Sequence, residues 1–204
     1  MFKFSLFGFP VQVQPWFWLV AFLLGGGFQM SGTFDWLPVL EWMTVIFLSL
    51  LAHELGHAVA VRRFGGWPVI VIHSLGGTTY YENRFNRKER LMVSAAGPAF
   101  SLMLMALSAA LVFTGVVPPF LREITRMMMW INGVWTVFNL LPVLPMDGGQ
   151  ILRDVLGPRH FRLSCVIGML TAVIIGVVLL KFGWIFAALL LGFMAFQNYQ
   201  ALRQ

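Results

Sequence analysis

Charged side chains are scarce in this chain. Asp, Glu, Lys and Arg make up 11% of its 204 residues, against about 25% in a typical soluble domain. So few charges cannot cover a water-exposed surface, and an ordinary soluble globular fold is excluded. Cysteine is nearly absent. Cys165 is the single one and lies in an apolar run, which excludes a disulfide framework. No polar stretch is long enough for a separate soluble domain, so residues 1–204 are expected to form one polytopic membrane domain. Acidic residues are few, eight against 14 basic ones.

What is present is apolar. Residues 4–34, 91–121, 127–146, 163–180 and 182–202 carry no charge, and 37–63 is apolar apart from Glu41, the group His53, Glu54 and His57, and Arg62–Arg63 at its end. About 20 such residues cross the hydrocarbon core of a bilayer. The expected fold is therefore all-α and membrane-embedded, with six spans near 15–30, 37–63, 91–114, 127–145, 163–181 and 183–202. Residues 1–30 have Lys3 before an apolar stretch, as a signal peptide would. Pro10 and Pro15 interrupt that stretch and no small-x-small cleavage site follows, so it is read as a short strand and a retained first span.

The net charge of +6 is distributed by side. With the N terminus inside, eleven basic residues fall on the inner side, from Lys3 to Arg203, and only Arg122, Arg126 and Lys181 fall outside. That is the positive-inside bias of a multi-pass protein in a cell membrane with both termini cytoplasmic. Basic charge used in this way implies contact with the lipid bilayer and no nucleic acid. The compact size suggests a prokaryotic plasma membrane.

Between the second and third spans the composition changes. Residues 67–82, WPVIVIHSLGGTTYYE, are β-branched and aromatic, with Gly76–Gly77 as a turn signal. They are expected to form a small membrane-associated β-sheet or hairpin. An open strand edge is not tolerated against lipid, so it must face protein, water or a bound peptide. Residues 83–90 read as a basic link. Asp35 is placed to cap the second span and Pro38 suits its first turn. Gly25, Gly26 and Gly27 in the first span read as close helix packing.

The chemistry is concentrated in His53-Glu54-Leu55-Gly56-His57. Histidines four apart share one face of a helix and can converge on one Zn²⁺, with the intervening Glu beside the first ligand to take a proton from water. The plain alternative is a set of polar residues packed inside a helix bundle. Each ionisable group at a span centre costs about 2.5–3.5 kcal/mol, so three in one turn need a compensating partner, which a divalent cation provides. A catalytic zinc usually has three protein ligands. Apart from Glu41 near the start of the second span, Asp147 is the other acidic residue inside or at the end of a span, just beyond Pro142 and Pro145, where unwound backbone can aim a carboxylate inward. Capping of the segment that starts at Gly148 is its alternative role. His53 lies about 24 Å from the outer end of its span, and Asp147 ends a span that also arrives at the cytoplasmic side. An active site near that side is expected. His73 in the hairpin and His160 in a basic loop are lesser candidates.

These residues carry a resemblance. His53–His57 together with Asn139-Leu-Leu-Pro142-Val-Leu-Pro145-Met-Asp147-Gly148 is similar to the paired HExxH and NxxPxxxxDG motifs of the site-2 protease family of intramembrane zinc metalloproteases. Gly97–Pro98 and FGFPVQVQPWF fit the same pattern. The resemblance implies one zinc held by His53, His57 and Asp147, Glu54 as catalytic base, and Asn139 holding substrate. It implies a zinc metalloendopeptidase acting on single-span or membrane-associated protein substrates in regulated intramembrane proteolysis, with an unidentified regulatory partner. Met146 stands where the family usually has Leu. With no room for an inserted PDZ domain or a CBS domain, a minimal core is expected. A non-proteolytic membrane zinc-binding or transport protein, or a scaffold for transmembrane segments, is the alternative. Glu54 argues against both.

Overall fold

The computed structural model describes residues 1–26, 35–82 and 84–203. It divides into two compact units. One comprises Met1–Arg84 and Ala96–Thr136, the other Phe85–Ala95 and Val137–Gln204.

The first unit opens with a hairpin, β1 (Phe2–Leu6) and β2 (Phe9–Val13). Its two turn residues, Phe7 and Gly8, both have positive φ (51° and 77°), as a two-residue turn that matches strand twist requires. Helix α1 (Pro15–Leu24) follows, with proline in its first turn. It is ten residues long, about 15 Å, and Gly25 ends it. Trp42 fills the place where a Cβ on Gly25 would sit, and its Nε1 donates to Ala21 O at 3.1 Å. The rest of the first expected span, including Gly27, lies outside the described residues.

Helix α2 (Trp36–Arg63) begins where Asp35 caps it, its carboxylate accepting from Leu37 N at 3.0 Å. Strands β3 (Val69–His73) and β4 (Gly76–Tyr80) come next. The expected hairpin is there, but it is half of a four-stranded sheet in the order β1-β2-β3-β4. β2 and β3 pair in parallel, Val11 with Ile70 and Val13 with Ile72. The turn also differs from expectation. It is Ser74–Leu75, and Gly76 and Gly77 lie inside β4. The alternation of β2 and β3 puts Phe9, Val11, Val13, Ile70 and Ile72 on one buried face, packed with Leu50, Leu51 and Ala58 of α2. Arg62 fastens the sheet to the end of α2. Its guanidinium lies 3.9 Å from the Phe9 ring centroid and donates to Gly8 O at 2.7 Å.

Helix α3 (Arg87–Thr114) starts four residues before the expected span. The stretch read as a basic link contains a reciprocal cap. Asn86 N donates to the Glu89 carboxylate at 2.8 Å, and Glu89 N donates to Asn86 Oδ1 at 3.0 Å. Helix α4 (Arg122–Asn139) likewise starts earlier than expected and ends earlier, at Asn139. Pro142 disfavours helical backbone at Leu141 and cannot donate to the carbonyl four residues back, so the helix stops short. In the first unit α4 meets α2 through a polar bridge. Buried Asn132 donates to Ser49 Oγ at 2.9 Å and to Met128 O at 2.8 Å.

The second unit contains α5 (Asp147–Leu156), α6 (Phe161–Lys181) and α7 (Ile185–Leu202). α6 and α7 are joined through Gly183 (φ 78°) and bury Ala172, Leu191 and Ala195 with Val143 and Met146. Gly168 leaves room for Asn198, which donates to Leu144 O at 2.8 Å.

Among the described residues four helices are long and apolar enough to cross a membrane: α2, α3, α6 with the short turn before it, and α7. The protein is therefore a mostly helical, multi-pass membrane protein with a small sheet.

Candidate metal centre

His53, Glu54 and His57 lie late in α2, on the side covered by α3 and β4. All three are buried, at 3%, 4% and 8% exposure. Helix periodicity stacks the two histidines one turn apart. Their Nε2 atoms are 3.2 Å from each other, and a carboxylate oxygen of Glu54 joins them in a cluster whose ligand atoms lie within 4.8 Å of one another.

Glycines create the space for this cluster. A Cβ at Gly56 would overlap the backbone carbonyl of Ala96, so the glycine within the motif lets α3 approach α2 closely. That approach brings Gly97 against the His57 ring, where any side chain would overlap the imidazole. One turn further along α3, Ser101 Oγ lies 3.1 Å from His53 Nδ1 and is fully buried. With Nδ1–H donating to that hydroxyl, Nε2 is left as a lone-pair donor aimed at His57 Nε2. Fixing one ring nitrogen to free the other is how ligand imidazoles are usually oriented.

Glu54 is held from β4. Thr79 Oγ1 donates to Glu54 Oε2 at 2.7 Å and approaches Glu54 O at 3.2 Å. A Cβ at Gly77 would fall 2.5 Å from Glu54 Cγ and 2.6 Å from Oε1. Gly77 is therefore in the strand and not in the turn because the Glu54 side chain occupies its side-chain space. Two converging imidazole nitrogens, one on a ring oriented through its other nitrogen, suit a Zn²⁺ ion, and the buried carboxylate lies beside them. The residues fit that ion.

Asp147 and Asn139 belong to the second unit. Asp147 is buried and is the first residue of α5. Gly148 and Gly149 after it press against the backbone of Leu140–Leu141 and Val143–Leu144. Asn139 is half-buried at the last position of α4. At the far end of α5, buried Asp154 pairs with Arg90 Nε at 3.0 Å. Arg87 of α3 donates to Val155 O. His73 and His160 are used locally. His73 Nε2 lies 3.1 Å from Thr78 Oγ1, and His160 Nδ1 lies 3.2 Å from Leu156 O.

Ser101, Thr79 and the spacing glycines Gly56 and Gly77 were not legible as site residues in the sequence. Ser101 had one usable signal. It lies four residues after Gly97 on an apolar helix, the spacing that matches His53 and His57 across the contact.

The profile of peptidase family M50 matches residues 120–182, the part of the chain that contains the Asn139–Asp147 motif. This part of the chain is similar to peptidase family M50. Protein sll0528 of Synechocystis sp., named as a zinc metalloprotease, is 33% identical over 162 residues, covering 74% of this chain and 42% of its own length. Zinc metalloprotease MJ0392 of Methanocaldococcus jannaschii is 26% identical over 162 residues, 77% of this chain and 45% of its own. Stage IV sporulation protein FB of Bacillus subtilis is 30% identical over 146 residues, 70% of this chain and 46% of its own. The chain thus spans less than half the length of the curated relatives it matches. Among solved structures, the site-2 protease from Methanocaldococcus jannaschii superposes with a TM-score of 0.67 at 22% identity, covering 100% of this chain and 95% of that one. The chain therefore shares the fold of that structure.

Proposed function

We propose that this chain is a zinc metalloendopeptidase that hydrolyses peptide bonds of transmembrane or membrane-associated proteins. The observation that carries the reading is the buried His53–Glu54–His57 cluster, with Nε2 atoms 3.2 Å apart inside an apolar helix. His53, His57 and Asp147 are the zinc ligands, Glu54 is the base, and Asn139 holds substrate. The assignments of Asp147 and Asn139 rest on the NxxPxxxxDG spacing and on the similarity of residues 120–182 to M50.

Zinc bound there supplies Lewis acidity, which brings the pKa of water to about 7 and polarises the scissile carbonyl. Glu54 accepts the proton of the attacking water at its carboxylate and returns it to the departing amine. Ser101 Oγ, 3.1 Å from Nδ1, orients the His53 ring. Burial of the cluster keeps the carboxylate away from bulk water. A transmembrane substrate must first unwind, and its freed backbone groups then need partners. β4 is the outer strand of the sheet, which suits pairing with an extended peptide. Prolines along its free edge are expected to slow cleavage without removing zinc. Unchanged cleavage would defeat that part.

Six spans with both termini and the site toward the cytoplasm fit the positive-inside charge. β2 precedes α1, β3 follows α2, and the two strands pair. The segment between them therefore starts and ends on one side, which supports a second crossing alongside α2.

The test is cleavage of single-span reporters by wild type and Glu54→Gln, with metal content read on the same samples. Cleavage by wild type alone, with about one zinc in both, upholds the reading. No cleavage by either with zinc retained favours the zinc-binding or transport alternative. A wild type without metal overturns the assignment of His53, His57 and Asp147.

A further inference from the structure

We propose that Thr79 is the positioning residue for Glu54, its hydroxyl fixing the orientation of the carboxylate that takes the proton. The inference rests on the reading of Glu54 as the base.

Sheet register sets Thr79 apart. Thr79 pairs with Ile70 and Gly77 with Ile72, so both belong to the face that β2 and β3 cover with Val11, Val13, Ile70 and Ile72. Thr78 lies on the opposite face, where it meets His73. A hydroxyl on an apolar face needs a polar partner, and the partner Thr79 has is Glu54 Oε2 at 2.7 Å.

Direction is set from three sides. Thr79 is β-branched and in a strand, so its χ1 is restricted and the hydroxyl has little freedom to turn away. Gly77, two residues back on the same face, brings its backbone against Glu54 Cγ and Oε1. The Glu54 carbonyl lies 3.2 Å from the same hydroxyl. A glutamate has three side-chain torsions, and freeing them spreads the carboxylate over orientations that do not reach the proton. Holding one oxygen by Thr79 and packing the carboxylate against Gly77 limits it to one orientation and pre-organises the transfer. Because a hydroxyl is needed only for direction, the effect belongs to kcat and not to substrate binding.

The test uses the full chain in lipid nanodiscs with a reporter that wild type cleaves, comparing Thr79→Val, Thr79→Ser and Glu54→Gln. Zinc stoichiometry and unfolding temperature are read on every sample. Thr79→Val keeps the shape and removes the donor. It is expected to lower kcat by about 10- to 100-fold, a share of the 10²–10⁴ that general-base catalysis contributes. KM, zinc content and unfolding temperature should stay at wild-type values, and Thr79→Ser should restore most of the rate. A Thr79→Val enzyme as fast as wild type overturns the proposal. So does a Thr79→Val loss accompanied by zinc loss or a lower unfolding temperature, or one that Thr79→Ser fails to rescue, since each marks a structural role. A Glu54→Gln enzyme that still cleaves removes the underlying reading instead, whatever Thr79→Val does.

Discussion

His53, Glu54 and His57 sit well inside a 28-residue helix, whereas Asp147 is the first residue of a ten-residue one. The first group is aimed by side chains and by gaps. Ser101 and Thr79 hold two of its members by hydrogen bonds, and Gly97 and Gly77 leave room for the imidazole and the carboxylate. Asp147 is aimed by backbone. Gly148 and Gly149 pack against the main chain of 140–144, and the other end of α5 is held by the Arg90–Asp154 pair. The difference teaches where each part is vulnerable. Against the His57 ring and the Glu54 carboxylate, at Gly97 and Gly77, substitutions meet side chains and disturb the chemistry while the fold stands. Around α5, they disturb the fold first.

Substitutions of glycine break this comparison most sharply. Gly97→Ala puts a methyl group on the His57 ring, and cleavage and zinc content are expected to fall together by about 100-fold or more while unfolding temperature barely moves, since the ring can swing aside. Gly148→Ala meets backbone carbonyls that cannot swing aside. A loss of about 3 kcal/mol or more is expected, seen as a lower unfolding temperature and poor recovery from the membrane. If Gly97→Ala unfolds the protein or Gly148→Ala leaves its stability intact, the contrast is wrong.

The ion pair gives a smaller effect. Asp154 is 4% exposed and Arg90 39%, and Arg153 Nε also lies 3.7 Å from the carboxylate. Water screens the half-exposed guanidinium, so Arg90→Met is expected to cost about 1–2 kcal/mol, well below the 3–5 of a fully buried pair. Thermal unfolding measures it. Asp35→Ala should be smallest, about 1 kcal/mol for a lost helix cap, with zinc content unchanged.

Legibility followed the range of the interactions. The stacking of His53 on His57 depends on 3.6-residue periodicity alone, and the spacing announces it. The hairpin at 67–82 was visible in its β-branched residues. Its place in a four-stranded sheet was not, because the pairing of Val11 with Ile70 spans two helices and leaves no local mark. The turn was misplaced at Gly76–Gly77 because a glycine needed for clearance looks the same in sequence as one needed for φ. Helix ends were misjudged where charge was taken for loop. Asn86 and Glu89 cap α3 among the basic residues read as a link, and α4 begins at Arg122–Glu123. Thr79 was silent and Ser101 nearly so, its spacing from Gly97 apart, since single hydroxyls are common and acquire meaning only from the face they occupy.

The parallel pairing of β2 with β3 also orders events during synthesis. The ribosome delivers β2 before either helix, and its outer edge stays unsatisfied until β3 emerges. No turn can close that gap, because parallel neighbours require a crossover, and here the crossover contains a helix long enough to span the bilayer. The strand that steadies Glu54 arrives last of the four. A nascent chain thus holds the Glu54 carboxylate in place only after the helix that is long enough to span the bilayer has been made, so the order of synthesis itself delays the moment at which this part of the site is complete.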